Sequence, residues 1–267
     1  MSDSAFSGVM DTLYIPLWAR IYVSKKFPHY FFDPKALELE AKIPEELRIR
    51  KSNQYQQLAN VSCYFNMDRI VKSFIEQRGE VNIVNLGCGL ETNRWRIADP
   101  RATFYELDFP EVIKKRLALL GESEKEVLLP FSMLDYAWVG HIDKNRPTLL
   151  TARGVFEYFH KEEVLAFLME IRKRIPKAEV VFDCPSSKGV AYANSYVKKT
   201  GNQNALIYFY VDDVDSFAKE AEAEIRSAET FYAETRKVLK KGLNLYTRIA
   251  MKVVDKGGMG KVIHIAL

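Results

Sequence analysis

Two glycines and an aspartate give the first chemical signal in this chain. Gly87-Cys88-Gly89 follows an apolar run from Val81 to Leu86, and Asp108 closes a second run, Thr103 to Leu107. Glycine opens backbone conformations closed to other residues and admits a ligand where a Cβ would block it. In nucleotide-binding α/β units, an acid at the tip of the second strand, about 20 residues past such a turn, accepts the hydrogen bonds of a ribose diol. The missing motifs narrow the nucleotide. No G-x-x-x-x-G-K-[ST] phosphate loop occurs. The dinucleotide fingerprint G-x-G-x-x-G is incomplete, because Thr92 stands in place of the third glycine. A nucleoside without phosphates therefore fits best, with S-adenosylmethionine the leading candidate. The glycine turn alone is also compatible with a plain strand-to-helix connection; the acid-tipped second strand favours the ligand.

These residues need a scaffold that brings strand tips together. Val81, Ile83, Val84 and Leu86 suit a central parallel strand buried on both faces. After it the pattern alternates: a helix from about 92, strand 103–107, helix 110–120, strands 126–130 and 147–152, helix 161–174 and strand 178–183. Such alternation predicts a doubly wound, Rossmann-like parallel sheet. Residues 211–223 and 243–253 read as helices, 224–232 and 262–266 as strands. The first 60 residues mix aromatics and charges around Pro16, Pro28, Pro34 and Pro44, which predicts several short helices forming an N-terminal cap before a domain over 61–267. Asp33-Pro34 and Ile43-Pro44 read as helix starts, and Asn66 to Gln77 as an amphipathic helix.

Composition fits an ordinary enzyme domain: 267 residues, 48% hydrophobic, are enough to bury a full core. The net charge of +4 is mild. Lysines and arginines read as scattered or paired with acids, as in Glu111 to Arg116, so a solvated surface is expected rather than a nucleic-acid track. Cys63, Cys88 and Cys184 have no zinc spacing and suggest reduced thiols in a cytoplasmic protein. The N-terminus lacks the pattern of a signal peptide, and no stretch is long enough to span a membrane. The expected partner is a small molecule, with no metal, nucleic acid or membrane.

The string N-L-G-C-G-L-E-T-N-R-W-R from Asn85 to Arg96, followed by Y-E-L-D-F-P-E-V-I-K-K-R from Tyr105 to Arg116, resembles the leucine carboxyl methyltransferase family, which includes tetracenomycin-type polyketide O-methyltransferases. Ser132 to Trp138 resembles the family's segment after strand three, and Arg146 to Phe159 its strand four and following turn. The likeness is dense from about Ala59 to Asp183. It implies a class I S-adenosylmethionine-dependent methyltransferase, with the last strands forming an antiparallel hairpin at the sheet edge. The cofactor set expected at the strand ends is Gly87, Cys88, Gly89, Leu107, Asp108, Leu134, Asp135, Arg153 and Gly154. The glycine turn would run beneath methionine and ribose, and Asp108 would hold the ribose hydroxyls. Asp135 could accept from the adenine amino group, cap a helix before Tyr136, or do both. Glu106 shares a strand face with Asp108; it could orient the site, but a surface position or a supporting role behind the site is favoured. Trp138 suits the core.

Two departures from the family stand out. Its members usually carry an arginine at a position resembling Cys63 and a glutamate before the glycine after strand four, where this chain has Arg153. A fork-shaped guanidinium at Arg153 could then clamp the methionine carboxylate; facing outward or pairing with Glu91 are its alternatives. Methyl transfer needs positioning more than side-chain chemistry, and only a hydroxyl acceptor benefits from a base. His160 reads as a helix flank and Tyr158 as packing, with Glu157 in the same turn, so no catalytic residue is assigned. Pro185 to Tyr210, with its aromatics and with Gly189 and Gly201 as hinge candidates, together with the aromatic N-terminus, could close over the site as a lid. The expected activity is O-methylation of a carboxylate or hydroxyl. A non-catalytic S-adenosylmethionine or S-adenosylhomocysteine binder and, less favoured, a nicotinamide oxidoreductase are the other readings.

Overall fold

The computed structural model describes residues 3–45, 53–200 and 206–267. Strands β1 (Val81–Leu86), β2 (Ala102–Asp108), β3 (Glu126–Pro130), β4 (Thr148–Ala152), β5 (Glu179–Pro185), β6 (Glu224–Thr230) and β7 (Gly260–Ala266) form one sheet in the order β3-β2-β1-β4-β5-β7-β6. The first five run parallel, and β7 inserts antiparallel between β5 and β6. Chain direction away from β1 reverses between β1 and β4, which puts the ligand crevice of an open α/β sheet above those two strands. Every residue of β1 is buried, as expected for a strand covered on both faces.

Helices cover both sides. On one face, α3 (Gln54–Arg78) packs Met67, Val71, Phe74 and Ile75 against Ile83, Phe104 and Val181. On the other, α6 (Lys161–Arg174) packs Phe167, Leu168 and Ile171 with Trp138, Val84 and Leu150. Asn53 and Gln56 form a reciprocal capping box that starts α3, and Gly79 ends it at φ 79°. The remaining helices are α1 (Asp3–Lys26), α2 (Pro34–Glu38), α4 (Asn93–Ile97), α5 (Pro110–Leu120), α7 (Ser187–Thr200), α8 (Val214–Glu220), α9 (Ala233–Val238) and α10 (Leu245–Lys256).

The N-terminal region differs from expectation. In place of short helices, α1 runs 24 residues with Pro16 inside it. An internal proline removes one helical hydrogen bond and costs about 3 kcal/mol in isolation. Burial of Leu17, Ala19, Ile21 and Val23 offsets that cost. Asp33 does cap α2 as expected, accepting from the Ala36 amide, whereas most of the helix expected after Pro44 lies outside the described residues. The boundary expected at residue 60 falls inside α3, which is 25 residues long and joins the cap layer to the sheet. Arg116, read as a surface charge, is instead 1% exposed.

Candidate cofactor and methyl-transfer site

The glycine turn leaves β1 with Gly87 at φ 55° and Gly89 at φ 48°. A Cβ on Gly87 would stand 2.7 Å from Val155 Cγ2, so only glycine lets the turn pass beneath the chain leaving β4. The Gly89 amide donates to Asp108 Oδ2 at 2.8 Å, the Phe109 amide donates to Oδ1 at 2.8 Å, and the Cys88 amide donates to the Leu107 carbonyl at 3.0 Å. Turn and acid are thus locked together, and each Asp108 oxygen retains accepting capacity toward the crevice. Burial raises the Asp108 carboxyl, and the Gly89 and Phe109 amides oppose that rise. Behind it, Arg116 donates to the carbonyls of Gly89 and Glu91 and pairs with Glu106 and Glu126. Glu106 is fully buried beneath the turn, accepts from Asn85 at 2.9 Å and is pushed upward by burial. A surface position, also open to it from the sequence, is excluded by that burial.

A second buried network clasps the turn to the helical cap. Glu91 accepts from the amides of Thr92 and Asn93 and from Arg96 at 2.6, 2.9 and 2.8 Å. Burial would raise its carboxyl, but Arg96, Arg20 and Arg153 hold it down to about 2. Arg96 also grips Asp68 through two bonds, 2.7 and 2.9 Å, and reaches Asp33 at 3.1 Å. Arg20 of α1 pairs with Asp33 at 2.9 Å and donates to the Leu90 carbonyl at 2.6 Å.

Arg153 stacks over the Tyr64 ring at 3.7 Å and makes no hydrogen bond or ion pair among the described residues. It does not pair directly with Glu91. Burial opposes its charge, while Tyr64, Glu91, Cys63 and Asp183 favour it and the balance is upward. Cys63 of α3 lies close enough to interact with it electrostatically. Gly154, at φ 63°, donates its amide to Asp183 Oδ1 at 2.6 Å. Glu157 follows within the short turn Phe156–Tyr158, is hydrogen-bonded to Tyr158, and is raised to about 7 by burial and by the nearby Asp183. Burial also raises Asp183.

At the end of β3, Asp135 caps the turn Tyr136–His141 by accepting from the Ala137 amide at 3.2 Å. Its side chain is exposed, as is Leu134 at 44%, so capping leaves both open to a ligand. Trp138 is fully buried, in the core as expected. His160 caps α6 with Glu163. Two neighbours of Arg153 were not among the expected residues: Tyr64 sits in a helix without a motif, whereas Asp183 follows the apolar run Val180 to Phe182 and carries a readable signal like that of Asp108. All three cysteines are free and buried. Among the described residues no metal-binding group is found, and no helix is long and apolar enough to cross a membrane.

A glycine turn closed on an acid-tipped second strand, at the switch point of a seven-stranded sheet with an antiparallel edge, defines the Rossmann-like fold of nucleoside-dependent methyltransferases. The chain belongs to the leucine carboxyl methyltransferase family, whose sequence model matches residues 19–172. That family uses S-adenosylmethionine. Tetracenomycin polyketide synthesis O-methyltransferase TcmP of Streptomyces glaucescens is 25% identical over 179 residues, 66% of each chain. The S-adenosyl-L-methionine-dependent methyltransferase dpfgK of Gibberella zeae is 25% identical over 162 residues, 55% of this chain and 54% of that one. The aligned stretches thus span about two thirds or less of these relatives. Among solved structures, a duf574 family protein from Streptomyces avermitilis superposes with a TM-score of 0.58 at 15% identity, covering 92% of this chain and 95% of its own.

Proposed function

We propose that this chain transfers the methyl group of S-adenosylmethionine to a hydroxyl oxygen of a small molecule. The observation that carries the donor assignment is the Gly89 to Asp108 closure, which leaves a carboxylate at the crevice with lone pairs free for a ribose diol. Gly87, Cys88 and Gly89 would underlie ribose and methionine. Leu134 would flank the adenine, with Asp135 accepting from its amino group; Leu107, expected in the same set, is fully buried in the core with its carbonyl taken by the Cys88 amide, and supports the turn instead. Arg153, stacked on Tyr64 beside Gly154, would take the methionine carboxylate through its unengaged fork. The sulfonium supplies an already activated methyl group, so the protein has to align the acceptor and exclude water.

The acceptor class is read from Glu157 and Asp183. Two carboxyls near one another at the ends of β4 and β5 disfavour a carboxylate acceptor, whose charge they would repel. A hydroxyl suits them: Glu157, held near 7, accepts the hydroxyl proton as the oxygen attacks, and a neighbouring carboxylate makes that proton welcome. TcmP, an O-methyltransferase by name, supports the oxygen chemistry. Calorimetric titration with S-adenosylmethionine, followed by incubation of cell extract with methyl-labelled donor, tests the reading. Saturable donor binding and a labelled methyl ether are expected. Binding without labelled product would leave a donor-binding protein, and no binding would remove the reading altogether.

A further inference from the structure

Helix α10 turns Thr247 and Met251 inward, with Met251 packed among Phe27, Val61 and Leu243 of the helical layer. Apart from Tyr246, which meets Tyr55, its opposite face is uncovered among the described residues. Leu245, Ile249 and Val253, four residues apart, are 71%, 53% and 55% exposed, and Tyr246 beside them is 61% exposed. Isolated exposed apolar residues need no explanation, but a contiguous stripe on one helix marks an interaction surface.

The charge around this stripe is lopsided. From Arg236 to Lys256 the chain carries seven lysines and arginines against one acid, Asp255, although the whole chain has 39 cations and 35 acids. More than the entire net charge therefore sits on α9, α10 and the turn between them. Asp255 is taken up by Arg236 at 2.9 Å, and Lys237 approaches Glu234 at 3.5 Å. Lys240, Lys241, Lys252 and Lys256 are exposed and form no ion pair among the described residues. On the α10 wheel, Arg248, Lys252 and Lys256 border one flank of the stripe, as expected for a helix lying in an interface.

We propose that α9 and α10 dock this protein onto the surface of an anionic phospholipid bilayer. A second copy is a poor occupant, because a two-fold interface would press these cations against their own counterparts. Nucleic acid offers phosphates but nothing for the aliphatic Leu245, Ile249 and Val253, since bases bind by stacking on aromatic rings. A bilayer satisfies both halves: acidic headgroups meet the lysines, and the acyl boundary receives the stripe. The expectation of no membrane partner rested on the lack of a spanning segment, and peripheral docking needs none.

The surface also has a defined position relative to the site. Helix α3 runs antiparallel to β1, so its first turns stand beyond the strands' carboxyl ends, where Tyr64 meets Arg153. Tyr55 in the first turn meets Tyr246 edge-on at 6.2 Å. Tyr192 of α7, 72% exposed, also neighbours Tyr55. Docking would hold the mouth of the crevice beside the lipid.

Flotation of the full chain with vesicles tests this directly. Binding is expected to phosphatidylcholine vesicles containing phosphatidylserine, not to phosphatidylcholine alone, and to fall as salt rises. Each lysine removed in Lys252→Glu or Lys256→Glu should weaken partitioning about fivefold or more. Ile249→Ser with Val253→Ser should weaken it while leaving the melting temperature unchanged, because both residues are exposed. Equal binding to both vesicles, binding to neither, or insensitivity to the serine variants would overturn the proposal. So would a dimer in sedimentation that Ile249→Glu dissociates, or capture of single-stranded RNA through the same lysines in place of vesicles.

Discussion

Arg153 carries a cation stacked on the Tyr64 ring, with no ion pair to an acid among the described residues. In the proposed reaction its fork holds the donor's carboxylate, so Arg153→Ala should weaken S-adenosylmethionine binding about 10- to 100-fold, in line with a charged hydrogen bond. Arg153→Lys should restore only part, because a point charge lacks the fork. Calorimetric titration reads both, and unchanged affinity in the alanine variant would dismiss the role. Glu157 makes a separate prediction. Below about 7 it carries a proton and cannot accept another, so kcat/KM should rise as pH passes through 7. Glu157→Gln should flatten that limb and lower the rate by about 10²- to 10⁴-fold. A retained pH limb in the variant would assign it to another group.

At the level of elements, the sheet and its crossover helices were plainly written in the chain. Strand β1, strand β3, and helices α5 and α6 begin and end where their apolar runs predict, because Pro110, Gly121 and the strand-flanking polar residues act locally. The glycine turn and Asp108 were legible for the same reason. What could not be read depended on contacts distant in sequence: the continuity of α1 through Pro16 rests on packing against α3, and Tyr64 joins the site only because α3 crosses the end of β4. Gly189, expected as a hinge, is a packing glycine instead. A Cβ there would stand 2.3 Å from the Met259 carbonyl oxygen, so the first turn of α7 lies directly on the backbone entering β7. The other hinge candidate, Gly201, lies outside the described residues. Gly189→Ala should destabilise the fold by about 1–3 kcal/mol through overpacking. A melting temperature equal to that of the unaltered chain would contradict the close approach.

Across the whole molecule, the network around Glu91 binds α1, α2, α3 and the glycine turn into one unit. The folded Glu91 carboxyl lies at about 2 against an ordinary 4.5, so its contribution is fully present above 4.5 and is lost as pH falls toward 2. Chemical unfolding of Glu91→Gln and the unaltered chain, compared across that interval, should show their stability difference shrinking with acid; a constant difference would place the cause elsewhere. The same clasp has a further effect. Since Arg20 holds the Leu90 carbonyl, one residue past the glycine pair, the amino-terminal helix cannot peel away without loosening the floor of the crevice. Anything that settles on that floor must then also tighten the far end of the chain, so a filled site and an unfrayed beginning become two readings of a single event.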